Sequence, residues 1–204
     1  MGNKDNRLLL VGVHTGGQFT VVNSVTYAGI SAICQSRVHT SNAGSNWFGW
    51  EVWSLVNPTV GTNDLTIFWS SAGQPISFGA NSWYGVSTGN PISATASTTA
   101  NSSLGSLSVA SSTGNVINDF IATEEALTVY ANQTQLWNAY DNGGQYITFG
   151  SSYKSATANP MATYWTVGGG GVDWAMISVA IAPSTGGGTA VTPRSTPAPF
   201  TMCF

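Results

Sequence analysis

Along this chain apolar and polar positions alternate in short runs separated by clusters of Gly, Asn, Ser and Pro, the pattern of strands joined by turns. Three of the eight tryptophans fall within residues 47–53. Phe48, Trp50, Val52 and Val56 share one parity while Trp47, Trp53 and Leu55 share the other, so large groups leave both faces of an extended backbone. Such a strand needs cover on both sides. Asn57-Pro58 ends it because proline supplies no amide donor, and residues 61–63 turn the chain into 64–69, where Leu65, Ile67 and Trp69 alternate. The two runs are predicted to pair as an antiparallel hairpin whose first member is an inner strand of a sandwich.

The same reading gives inner strands at 7–14 and 115–122, each apolar on both parities. Further strands are predicted at 19–22, 24–27, 30–38, 76–86, 104–110, 134–140, 146–152, 161–167 and 172–181, with a turn at 141–144. Residues 87–103 carry Ser, Thr, Ala and Asn with almost no large apolar group, and read as either an exposed connection or a weak edge strand. Residues 123–130 hold the single helical signal, Thr123 as a cap with Glu124 and Glu125 in the first turn, set against continued strand. Strands at this spacing predict an all-β fold, an antiparallel β-sandwich over residues 1–183. Residues 6–13 faintly resemble 115–122, and a tryptophan-bearing hairpin is predicted after each, a likeness compatible with duplication without establishing it.

From 184 to 204 the composition turns to Gly and Pro, the mark of an extended C-terminal arm. Pro193, Pro197 and Pro199 lower the entropy lost on ordering, and Phe200, Met202 and Phe204 share one parity as apolar anchors. The arm is expected to leave the sandwich and dock on another subunit; the alternative is that it folds back as an extra edge strand.

Only 6% of residues are charged, against roughly 25% in an average soluble protein, while hydrophobic content is an ordinary 42%. The surface is therefore built from Ser, Thr, Asn, Gln and Gly, a composition suited to particles, cell walls and the extracellular medium. Lys4, Arg7, Arg37, Lys154 and Arg194 are too scattered to form the basic stripe that nucleic acid requires. No secretory leader is read in residues 1–13, and no apolar run is long enough to cross a bilayer as a helix. Cys34 and Cys203 read as free thiols.

Chemistry is sparse. Paired carboxylates on alternate strand positions, the glycosidase arrangement, do not occur: Glu51 is flanked at those positions by Gly49 and Trp53. His14 and His39 lie in no metal or nucleophile motif, and Asp141-Asn142-Gly143-Gly144 reads as turn chemistry before it reads as calcium binding. No catalytic residue, metal or cofactor is expected. Trp47, Trp83 and Tyr84, near predicted loops, are the candidates for stacking on a glycan.

Residues 6–13, 25–29, 53–58, 133–137, 151–154 and 174–181 together resemble the concanavalin A-like jelly-roll domains of bacterial surface proteins and phage structural proteins. The resemblance implies a jelly-roll-like form of the antiparallel β-sandwich and a non-enzymatic virion protein assembled in the host cytoplasm, namely a capsid decoration (cement) protein bound to the major capsid protein or other virion subunits. A homo-oligomer is expected, a trimer matching local three-fold positions. The rival reading is a carbohydrate-binding or adhesive module of a virion or a bacterial surface, and a glycoside hydrolase comes third.

Overall fold

A computed structural model describes residues 1–2, 4–16, 20–40, 48–70, 76–141, 147–184, 191–193 and 200–202. Every regular element among them is a strand: β1 (Leu8–Gly16), β2 (Val22–Tyr27), β3 (Ile30–Ser31), β4 (Ile33–His39), β5 (Phe48–Val56), β6 (Leu65–Trp69), β7 (Ile76–Tyr84) and β8 (Ile92–Ser102). There follow β9 (Leu104–Val109), β10 (Val116–Thr123), β11 (Leu127–Val129), β12 (Thr134–Asp141), β13 (Ile147–Ser155), β14 (Met161–Val167), β15 (Val172–Ile181), β16 (Thr192–Pro193) and β17 (Phe200–Met202). The fold is all-β, an antiparallel sandwich, as the alternation predicted.

The strands apolar on both parities lie at the centres of the sheets. β1 is buried throughout, between β5 and β7, and β10 is buried throughout, between β13 and β15. The two middle sheets run β16-β7-β1-β5-β4, with β17 also on β7, and β12-β13-β10-β15-β8. Leu8, Leu10, Trp50 and Val52 of the first meet Phe120, Phe149, Ile177 and Val179 of the second in the main core. Their opposite faces are apolar too, and each is covered by a small outer sheet. Leu9, Val11, Trp53 and Leu55 pack under β3-β2-β6 through Val22, Val25 and Tyr27; Ile121, Trp174 and Met176 pack under β11-β14-β9 through Leu127, Trp165 and Val167. The result is a stack of four layers.

The expected hairpin of residues 47–58 with 64–69 does not form. Both ladder edges of β5 are taken, by β1 and β4, so β6 crosses to the outer layer and pairs with β2. Asn57, at a left-handed φ of 48°, turns the chain out of β5 and accepts the Arg7 amide on its side chain. Residues 87–103 resolve as an edge strand, β8 on β15. The helical turn at 123–130 is absent: Thr123 extends β10, its hydroxyl donates to the Asp173 carbonyl at 2.9 Å, and β11 follows. The turn residues 142–144 lie outside the described set, as does Cys203; Cys34 is a free, partly buried thiol.

The pairing pattern repeats. β10 with β13 and β15 reproduces β1 with β5 and β7; β12 sits on β13 as β4 sits on β5, each with a bulge, between Gln135 and Trp137 and between Cys34 and Ser36. The outer pair β2-β6 is matched by β11-β14. The strands that follow each half are exchanged: β8, after β7, joins β15, while β16 and β17, after β15, join β7. The likeness of residues 6–13 to 115–122 is thus matched by a repeat of the topology.

The middle sheets approach closely where glycine faces an aromatic ring. A Cβ at Gly79 stands 2.4 Å from Trp137 Cζ2, and that indole is held by its N–H bond to Asn81 Oδ1 at 2.7 Å. Gly79→Ala should therefore lower stability by about 1–3 kcal/mol, the usual cost of overpacking, measured by urea denaturation against the parent chain.

Candidate functional site

Three of the sequence-selected residues converge on the free flank of β7. In register, Trp83 faces Pro193 and Tyr84 faces Thr192. Parity sends the two rings to opposite sides of the strand. Trp83 is 1% exposed and packs edge-on against Tyr153, centroids 5.5 Å apart. It offers no face to a sugar, which corrects the expectation that it stacks on a glycan; a large indole beside an inner strand fills core volume. Tyr84 is half-buried and lines a cavity of about 230 Å³ together with Ser82, Lys4 and Arg7. Trp47 lies outside the described residues, as do Pro197, Pro199 and Phe204.

The described parts of the arm correct a second expectation. Thr192–Pro193 and Phe200–Met202 pair antiparallel with β7, so the arm folds back as edge strands instead of leaving the sandwich. The open ladder of β7 supplies the reason, since its inner side is satisfied by β1 and its outer amides need acceptors. Val191, 6% exposed, enters the main core and anchors the return. Val191→Ala should cost about 1–2 kcal/mol in a denaturant titration, the value of one buried branched side chain, where a solvated arm would give no change.

Two buried acids, which the sequence reading did not assign to any role beyond excluding a glycosidase, turn out to tie the layers together. Glu51 is fully buried. Its Oε1 accepts the Val22 amide at 2.9 Å and lies 2.9 Å from Arg37 Nε; its Oε2 accepts from Arg37 Nη2 and from the Trp53 indole, each at 3.0 Å. Arg37 Nη2 also donates to the Val22 carbonyl at 3.1 Å, so one two-pronged ion pair staples β4 and β5 to β2. The legible signal was an isolated acid in an apolar strand with tryptophan two positions on.

Asp119 does the same work in the other half. Its Oδ1 accepts from the Trp165 indole at 2.8 Å and the Ser152 amide at 3.2 Å; its Oδ2 accepts from the Ser152 hydroxyl at 2.7 Å and Gln133 Nε2 at 3.3 Å. Gln133 passes the link outward by accepting the Tyr164 amide at 2.6 Å. Burial pushes the Asp119 carboxyl up to about 7, against the pull of the Trp165 and Ser152 donors. Between the middle sheets a third network joins Asn81, Asn118 and Ser151: Asn81 Nδ2 donates to Asn118 Oδ1 at 3.0 Å and to Ser151 Oγ at 2.8 Å.

None of these groups faces an opening. His14 is buried, and burial lowers its imidazole to about 4; His39 packs its ring over Gly49, and its pKa is likewise lowered by burial. Asp141 accepts the Ser77 hydroxyl at 2.7 Å, and Asp173 accepts from Asn101 at 2.9 Å. No cluster of three metal-ligating side chains occurs among the described residues. A wider cleft of about 510 Å³ runs past Glu124, Glu125, Asn138, Tyr140 and Thr148, with its two acids adjacent in the chain. No family model, no curated protein and no solved structure matches the chain.

The Asp119 shift has a testable sign. Its folded pKa lies above the unfolded value, so the folded state binds the extra proton between about pH 4 and pH 7, and stability from this group falls as pH rises through that window. Asp119→Asn should flatten the pH dependence of unfolding free energy over that range while lowering stability overall. Denaturation of both chains at pH 4.5 and pH 8 measures it; an unchanged slope refutes the assignment.

Proposed function

We propose that this chain is a non-enzymatic structural protein of a phage particle, a capsid decoration component that sits on the outer shell as a homo-oligomer. The observation that carries the reading is where the ionisable groups go. In a protein with so few charges, Glu51, Arg37 and Asp119 staple layers, and the outer-sheet strands carry no charged residue, presenting Thr, Ser and Asn together with Ile30, Phe68 and Leu104 to solvent. That is the chemistry of a rigid, weakly charged block suited to lattice packing.

Light scattering after size exclusion reads the oligomer, with a trimer expected. Antibody raised to the recombinant chain should label the outer shell of particles in electron micrographs. A strict monomer at high concentration that leaves every particle unlabelled overturns the proposal.

One observation supports a glycan-binding reading: Tyr84 sits beside Lys4 and Arg7 in an open cavity, a setting for an acidic sugar. Saturable binding on a glycan array, lost in Tyr84→Ala, would favour it over the decoration role.

A further inference from the structure

The outer sheets of the two halves are completed on opposite edges, by β3 on β2 in the first and by β9 on β14 in the second. In the second, the outer pair β11-β14 is completed by β9, which runs antiparallel along the far edge of β14 from Met161↔Val109 to Thr166↔Leu104. In the first, the outer sheet ends at β6 among the described residues. The consequence is visible in burial. Trp165 and Val167, the inward residues of β14, are 0% and 2% exposed beside β9, whereas Leu65 and Ile67, the inward residues of β6, are only half-buried, and the outward Phe68 is 59% exposed.

The backbone tells the same story. The Ala28 amide donates to the Asp64 carbonyl, which fixes the alternation in the β2-β6 ladder: residues 64, 66 and 68 turn their amides to β2, and Leu65 and Ile67 turn theirs away. On β14 the equivalent residues Trp165 and Val167 face β9, with the Val167 amide donating to the Ser103 carbonyl. Among the described residues, an open ladder edge thus stands where the other half has a filled one. On β7, where the second half packs Val109 over the matching strand, the first half has a cavity lined by Met1, Gly2, Lys4 and Arg7. Aligning β1 on β10 at their first residues puts Trp83 on Ile181 and Ser82 on Ala180. Ala180 is covered by Val109 of β9, while Ser82 lines the 230 Å³ cavity.

We infer that the outer edge of β6 is an acceptor site for an extended segment of a partner protein, uncharged, with small or apolar side chains at alternate positions, docking as β9 docks on β14. The chemistry of the occupant is read from β9, which turns Gly105, Leu107 and Val109 inward and Ser106 and Ser108 outward. A second copy of this chain is the poorer occupant, because its own β9 is already committed to β14 and to the cluster of Val109, Ile117 and Ala180. Backbone pairing would supply affinity and the alternate side chains specificity, the mode of strand addition at an exposed edge. This inference stands apart from the particle reading and fails or survives separately from it.

The probe is a fluorescent peptide with the sequence of residues 103–110, titrated with the full chain and read by anisotropy. Saturable binding is expected, with hydrogen exchange at the Leu65 and Ile67 amides slowed in the complex. The same peptide carrying proline at the Leu107 position, which removes a central ladder donor, should bind about tenfold more weakly or worse. Ile67→Pro should abolish binding while keeping the fold, because that amide is unused by β2. Where this variant fails to fold, the exchange measurement on the parent chain decides. No binding at millimolar peptide, or protection elsewhere, overturns the inference. So does a dimer of the chain alone that protects Leu65 and Ile67, since the occupant is then a second copy.

Discussion

Both faces of each middle sheet must be kept dry, and most of the architecture follows from that requirement. β1 sends Leu8 and Leu10 to one side and Leu9, Val11 and Val13 to the other, and β10 divides Phe120 and Ile121 in the same way. A two-layer sandwich would leave half of these in water, at a cost of about 1.5–3 kcal/mol per large side chain. The outer sheets are small because they need only roof that second face. Small roofs make few ladder bonds of their own, so they are fastened from beneath by buried acids: Glu51 reaches the Val22 amide, and Asp119 reaches the Trp165 indole. Each carboxylate is tolerated at zero exposure because every oxygen has donors aimed at it.

The middle interface has a different problem, which is to choose one alignment among several that bury similar area. Asn81, Asn118, Ser151 and the Trp137 indole solve it by satisfying one another across the sheets. A slip by one residue would strand all of them in an apolar layer, each at the price of an unmade buried hydrogen bond. Gly79 and Gly12 allow the approach, since a Cβ at either would collide with Trp137 or Phe120.

Strand positions and the inner status of β1, β5 and β10 were legible because double-sided apolar parity has a single physical meaning. Partnership was not legible. Residues 64–69 alternate as a hairpin partner of β5 should, yet alternation says only that a strand has one wet face, and ladder edges already filled by β1 and β4 sent it to the outer sheet. The Ser/Thr/Ala run that became β8 lacks large apolar groups because Ala94 and Ala96 need only fill a thin margin beside Ala180. Thr123 offered a cap to a helix that the pull of the β10 ladder overrode. Trp83 was misplaced as a sugar platform because proximity to a loop does not fix parity, and the cover for its ring comes from Tyr153, distant in sequence. The arm's return to β7 was one of two readings of the same Pro-rich composition, and only the open β7 edge decides between them.

The exchange of trailing strands between the halves sets an order of events during synthesis. β15 finds its neighbour ready, since β8 has left the ribosome long before it. β7 does not: its outer edge is matched by β16 and β17, which follow the whole of the second half. Until they emerge, the first half exposes a ladder next to Trp83 and the gap that Val191 will close. The half made first is therefore sealed only after the second half has been made, so that each half depends on the other for its last ladder.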